Sequence, residues 1–129
     1  MTGKILLDTN AIIALFRGDP SVRSVIEGAN EVFVPSIAIG EMYYGAEKSA
    51  HSVANITRLD EFAAASALLS VDGETARQYG RIKNALRAKG RPLPENDIWI
   101  AAIAGQHALT LITRDSHFLE IDGLAIEHW

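Results

Sequence analysis

Four acidic residues, Asp8, Glu41, Asp97 and Asp115, are the side chains through which this chain could do chemistry. Asp8 ends the apolar run Ile5-Leu6-Leu7, and Asp115 follows the run from Leu109 to Thr113. Glu41 stands among Ile37, Ile39, Met42, Tyr43 and Tyr44, with no Lys or Arg three or four positions away to pair with it on a helix. Asp97 precedes Ile98-Trp99-Ile100-Ala101-Ala102 and also lacks such a neighbour. A carboxylate set in an apolar helix costs free energy unless something compensates it. Carboxylates that converge repel one another, and a cation between them removes the repulsion. Hard cations such as Mg²⁺ and Mn²⁺ prefer oxygen ligands, so the four together would make a metal site. Taken singly, each has a plainer use. Asp8 suits a helix N-cap, Asp97 suits a first helical turn, and Asp115 suits a turn. Their joint occurrence at element ends is what favours the metal site.

Competing chemistries lack their residues. The chain has no cysteine, hence no disulfide, thiolate metal site or cysteine nucleophile. His51, His107, His117 and His128 show no HExxH spacing, which disfavours zinc hydrolysis. His117 is expected to pack beside Phe118 rather than to act in catalysis. No G-x-S-x-G, P-loop or G-x-G-x-x-G string occurs. A phosphatase of the haloacid-dehalogenase type would need Asp-x-Asp after the first strand, and Asn10 stands where its second aspartate should be.

Short apolar runs alternate with longer helical patterns, the mark of an α/β fold with a mainly parallel sheet. Strands are predicted at 4–7, 32–34, 68–71, 109–113 and 124–126. Helices are predicted from Thr9 to about Arg17, from Pro20 to Glu27, from 37 to 48 with Pro35-Ser36 as cap, and over 52–67. Two more run from Asp72 to Gly90 and from Glu95 to His107. Within the long one Tyr79, Ile82 and Leu86 share a face, which is expected to turn inward. Arg91-Pro92-Leu93-Pro94 is a stiff loop, since each proline fixes its own φ and restricts the residue before it. In such a sheet the ligand crevice lies outside the carboxyl ends of the strands, where Asp8 and Asp115 fall.

At 129 residues the whole chain, 1–129, is expected to form a single domain. Its 48% hydrophobic content supports one core and sets it apart from disordered chains. No stretch reaches the roughly 20 apolar residues of a membrane span, and the N-terminus lacks the pattern of a secretory signal. No membrane association and a cytoplasmic location are expected. The net charge of −4 hides a segregation. Arg77, Arg81, Lys83, Arg87, Lys89 and Arg91 form a basic stripe without an acidic residue between them. Such a stripe is a candidate RNA-binding face, the alternatives being a solvated helix surface or a dock for an acidic protein segment.

These residues carry a family resemblance. Leu7-Asp8-Thr9-Asn10 after a short strand resembles the opening of PIN domains. Ser36-Ile37-Ala38-Ile39-Gly40-Glu41 with Gly45, then Asn96-Asp97-Ile98-Trp99-Ile100-Ala101-Ala102, are similar to their central motifs. Thr113-Arg114-Asp115-Ser116-His117-Phe118, with Gly123-Leu124 and the tail Ile126-Glu127-His128-Trp129, completes the likeness over nearly the whole chain. The length resembles that of VapC-like toxins of toxin–antitoxin pairs. The resemblance implies a PIN-like three-layer sandwich whose four- to five-stranded sheet is flanked by helices. It also implies a metal-dependent endoribonuclease with one or two Mg²⁺ or Mn²⁺ ions, an RNA substrate, a homodimer and a cognate antitoxin. Asp8, Glu41, Asp97 and Asp115 match the catalytic, metal-binding positions, Asp8 and Asp97 being the first choices as direct ligands. Asn10 and Thr113 match supporting ones. Glu95 is an outer-shell candidate, and Arg114 is expected to modulate substrate contact. An RNA-processing nuclease that is not a toxin, or a non-catalytic PIN-like module that binds RNA or a partner, are the alternatives.

Overall fold

In the computed structural model, residues 3–129 are described. Five strands form one parallel sheet in the order β3-β2-β1-β4-β5. They are β1 (Lys4–Leu7), β2 (Glu31–Pro35), β3 (Ala67–Leu69), β4 (Thr110–Ile112) and β5 (Ile126–Glu127). Six helices cover them: α1 (Thr9–Phe16), α2 (Pro20–Glu27), α3 (Ser36–Glu47), α4 (Ser52–Ala65), α5 (Gly73–Lys89) and α6 (Glu95–Gln106). A 3₁₀ turn, Ser116–Glu120, follows β4 and was not expected from sequence.

β1 lies at the centre, and Ile5, Leu6 and Leu7 are buried because both of its faces are covered. Leu6 pairs in register with Phe33 on one side and Leu111 on the other. The chain runs outward from β1 through β2 to β3, then crosses back to β4 on the opposite side. The gap between the carboxyl ends of β1 and β4 is therefore the switch point of the sheet, where open α/β folds hold their ligands. The amide of Asp8 donates to the Ile112 carbonyl at 3.2 Å, fixing that gap.

α6 is buried on nearly all sides through Ile98, Ile100, Ala101, Ala102, Ile103 and Ala104. α5 packs along it, with Tyr79 stacked on Trp99 at 3.8 Å between ring centroids and 10° between planes. Leu86 is buried and Tyr79 and Ile82 pack against the core, as the spacing predicts. Asp72 caps α5 and Gly90 ends it with φ 70°, the left-handed conformation that glycine adopts without a Cβ penalty.

Several expected element ends shift by one or two residues, three of them as follows. Pro35 occupies the N-cap of α3 with no side-chain cap bond, and Ser36 is already helical. β3 starts one residue early and stops at Leu69, where its pairing with Pro35 ends. β5 begins at Ile126, because Leu124 is taken up in a turn that bonds back to Ile121. Among the described residues no helix is long and apolar enough to cross a membrane.

Candidate active site

Each of the four carboxylates reaches the switch-point crevice from a different element. Asp8 leaves β1 and caps α1, its Oδ1 accepting from the Ala11 amide at 2.8 Å. Glu41 projects from the second turn of α3, where Oε1 accepts from the Thr9 hydroxyl at 2.8 Å. Asp97 lies in the first turn of α6, after the Pro92–Pro94 loop. Asp115 caps the 3₁₀ turn, with Oδ1 accepting from the His117 amide at 2.9 Å. Asp8 and Asp115 are thus helix or turn caps that also face the crevice.

All four line one cavity of about 860 Å³, with Thr9, Asn10, Asn55, Glu95, Asn96 and Arg17 around them. Thr113 lies beneath it, fully buried. Its hydroxyl accepts from the Asp115 amide at 2.9 Å and bonds to the Asp8 carboxylate, so it ties two acids to the end of β4. Asn10 is exposed at the cavity wall.

The electrostatics register the crowding. Burial pushes the pKa of Asp97 up to about 6, and repulsion from Asp115, Glu41 and Asp8 adds to it. Asp8 is also raised, first by burial, with bonds from Thr113 and Ala11 opposing and repulsion from Asp115 and Glu41 contributing. The donors are all oxygens and repel one another across a cavity, which fits a hard divalent cation. They are not drawn into a finished ligand shell. Among the described residues no three acidic or histidine side chains stand close enough to hold an ion as they are.

Several sequence assignments change. Glu95 lines the cavity, yet its carboxylate is engaged by Lys83 and by the Tyr79 hydroxyl at 2.9 Å, which lower its pKa. His117 does not pack into the core; it is exposed, and its Nδ1 lies 3.0 Å from Asp115. Arg114 turns away from the cavity. Its guanidinium lies 3.8 Å over the Trp129 ring, Nε donates to the Trp129 carbonyl at 3.0 Å, and Asp19 is 3.6 Å away. This clamp secures the segment that carries Asp115.

The basic stripe does not line the acidic cavity. Arg77 pairs with Glu74 at 3.7 Å, Arg81 donates to Gln78, and Lys89 holds Asp122 at 3.1 Å and the Glu120 carbonyl at 2.6 Å. Lys83 is drawn to Glu95. Arg87 lines a neighbouring groove with Lys83 and Glu95, and Arg91 lines a smaller hollow beside His117. Sequence reasoning passed over Thr9, which orients Glu41, and Arg17 and Asn55, which line the cavity. Thr9 was legible as the neighbour of Asp8; Arg17 and Asn55 become visible only once α1 and α4 are packed together.

Residues 5–124 match the PIN domain family. The chain is 33% identical to ribonuclease VapC2 of Haemophilus influenzae over 98% of both chains. It is 32% identical to the tRNA(fMet)-specific endonuclease VapC of Salmonella typhimurium, again over 98% of both. Among solved structures, DNA-bound VapBC from Salmonella typhimurium aligns with TM-score 0.89 and 30% identity, over 100% of this chain and 99% of that one. VapBC2 from Rickettsia felis, bound to a DNA fragment from their promoter, aligns with TM-score 0.88 and 26% identity over 98% of both.

Proposed function

The chain belongs to the PIN-domain family, among the VapC ribonucleases, and from that premise we propose that it cuts RNA phosphodiester bonds as the toxin of a toxin–antitoxin pair. The observation that most supports this reading is the convergence of Asp8, Glu41, Asp97 and Asp115 on one cavity at the sheet's switch point. PIN-domain nucleases depend on a divalent metal; Mg²⁺ or Mn²⁺ is the ion proposed here. When bound, such an ion supplies a water of lowered pKa and neutralises charge on a phosphate undergoing in-line attack.

The residues divide the remaining work. Asp8 and Asp97 would hold the ion, having the most strongly disfavoured charges. Glu41 and Asp115 would complete the set or orient the attacking water. Thr9 keeps Glu41 aimed at the cavity, and the Thr113 hydroxyl fixes Asp8 against the Asp115 backbone. Asn10 offers an amide at the wall for substrate or water. An antitoxin is the expected protein partner, because relatives of the same fold are VapBC complexes. A homodimer and a cytoplasmic site of action complete the proposal.

The test is cleavage of structured RNAs, tRNA among them, in Mg²⁺, in Mn²⁺ and in EDTA, with Asp8→Asn in parallel. Metal-dependent cutting by the wild type should fall at least about a hundredfold in the variant, given the several kcal/mol a catalytic metal supplies. Equal cutting by both proteins would trace the activity to a contaminant and remove the reading.

A further inference from the structure

The acidic cavity is open along α1. Its wall continues from Asp8 past Ile13 to Arg17, and there it shares Met42, Gly45 and Asn55 with a hollow of about 150 Å³ against α4. Two cations stand at this end, in opposite situations. Arg58 is built in: Nη2 donates to the Phe16 carbonyl at 2.6 Å, and the guanidinium lies 4.4 Å over the Phe16 ring. That ring packs edge-on against Phe62 at 5.1 Å, so the end of α1 is fixed to α4.

Arg17 is exposed, and among the described residues its side chain has no hydrogen bond or ion pair. Among the described residues, every other ionisable side chain lining the cavity is acidic: Asp8, Glu41, Glu95, Asp97 and Asp115. Arg17 nonetheless stays apart from them, since the eight residues of α1 separate it from Asp8, roughly 13 Å along the axis. An arginine at a helix C-terminus interacts well with the dipole, but that role does not require a place in the cavity wall. An RNA strand entering a carboxylate-lined cleft is repelled except where a cation or metal meets it. A guanidinium presents paired donors suited to a phosphate.

We infer that Arg17 binds an RNA phosphate flanking the one that is cut, on a platform that Arg58 and Phe16 hold rigid. This assigns a substrate-positioning residue to the α1–α4 side of the cleft, whose lining includes none of the α5 stripe. It rests on the nuclease reading above.

The test is binding of a fluorescent single-stranded RNA by fluorescence anisotropy across a salt series, in an Asp97→Asn background that does not cut. Arg17→Gln should weaken binding about tenfold at low salt and flatten the slope of log K against log salt by about 0.7, the loss of one phosphate contact. Arg17→Lys should keep the slope. With Asp97 intact, Arg17→Gln should raise KM and leave kcat nearly unchanged. Unaltered affinity and slope in Arg17→Gln would overturn the inference. So would a lower melting temperature with unaltered affinity, which assigns Arg17 to the helix end alone. If the wild type cuts RNA with metal and Arg17→Gln has the same KM, this inference fails and the nuclease reading stands. If the wild type does not cut under any metal condition, the nuclease reading fails.

Discussion

Asp97 concentrates the electrostatics of the cavity in one side chain. Its pKa moves from 3.8 to about 6, through burial first and then through Asp115, Glu41 and Asp8. The folded-state value lies above the unfolded one, so the native chain binds the proton more tightly. Stability therefore falls as pH rises from about 4 to about 6, and the full penalty persists above that. Asp97→Asn removes it. In EDTA, urea unfolding should show the variant gaining about 1 kcal/mol on the wild type between about pH 4 and pH 7, the half-exposed position and solvent screening holding the gain below the full linkage value. An unchanged difference across that range would mean that neither burial nor repulsion raises the Asp97 pKa. The same proton competes with a cation, so Mn²⁺ affinity should drop below about pH 6. At a hundredfold excess over its Kd, Mn²⁺ should stabilise the wild type by about 2.7 kcal/mol at neutral pH. A smaller thermal shift is expected for Asp97→Asn, and equal shifts would place the ion elsewhere.

At the scale of elements, Asp8, Asp97 and Asp115 were legible because each sits near a boundary that hydrophobic patterning reveals, and Glu41 because it stands unpaired among apolar residues inside α3. Asp8 follows the central strand, and Asp97 opens a helix whose apolar sequence announces burial on all sides. What sequence did not reveal depends on how elements pack. The stripe from Arg77 to Arg91 looked free because Glu74, Glu95 and Asp122 lie outside it in sequence, yet all three fold back onto it. His117 looked apolar beside Phe118, but the 3₁₀ turn sends Phe118 inward and His117 out to Asp115. The link from α6 to β4 makes a separate point. Ala108 has φ 53°, and its neighbour Leu109 bonds back to the Ala104 carbonyl at 2.9 Å to close the helix. A Cβ in this left-handed conformation is strained, and glycine would relieve it at some cost in unfolded-chain entropy. Ala108→Gly should stabilise the protein by about 0.5–1 kcal/mol in urea unfolding. Ile100→Ala, by contrast, opens a void at a fully buried position of α6 and should cost about 2–5 kcal/mol.

For the whole molecule, the question is how a chain of net charge −4 attracts RNA to a cavity lined with carboxylates. Its charge is unevenly placed, so local potential rather than net charge governs the approach. On the α5 side, Arg87 and Arg91 have no ion pair or side-chain hydrogen bond among the described residues, while Arg77, Lys83 and Lys89 are held by acids. If RNA crosses this edge, Arg87 and Arg91 do the attracting, with Arg81, whose partner Gln78 is neutral, and the acid-paired cations contribute little, because their fields are largely cancelled locally. Reversing both charges, Arg87→Glu with Arg91→Glu, should weaken RNA binding at low salt by roughly tenfold or more, with the loss shrinking as salt rises. Arg77→Glu should have a smaller effect, although it lies on the same helix. Anisotropy on the three proteins over one salt series separates the outcomes. Equal losses per reversed charge for Arg77→Glu and for the double reversal would mean that RNA senses the helix's charge as a whole. No loss in either would leave α5 a solvated face and place the RNA path elsewhere.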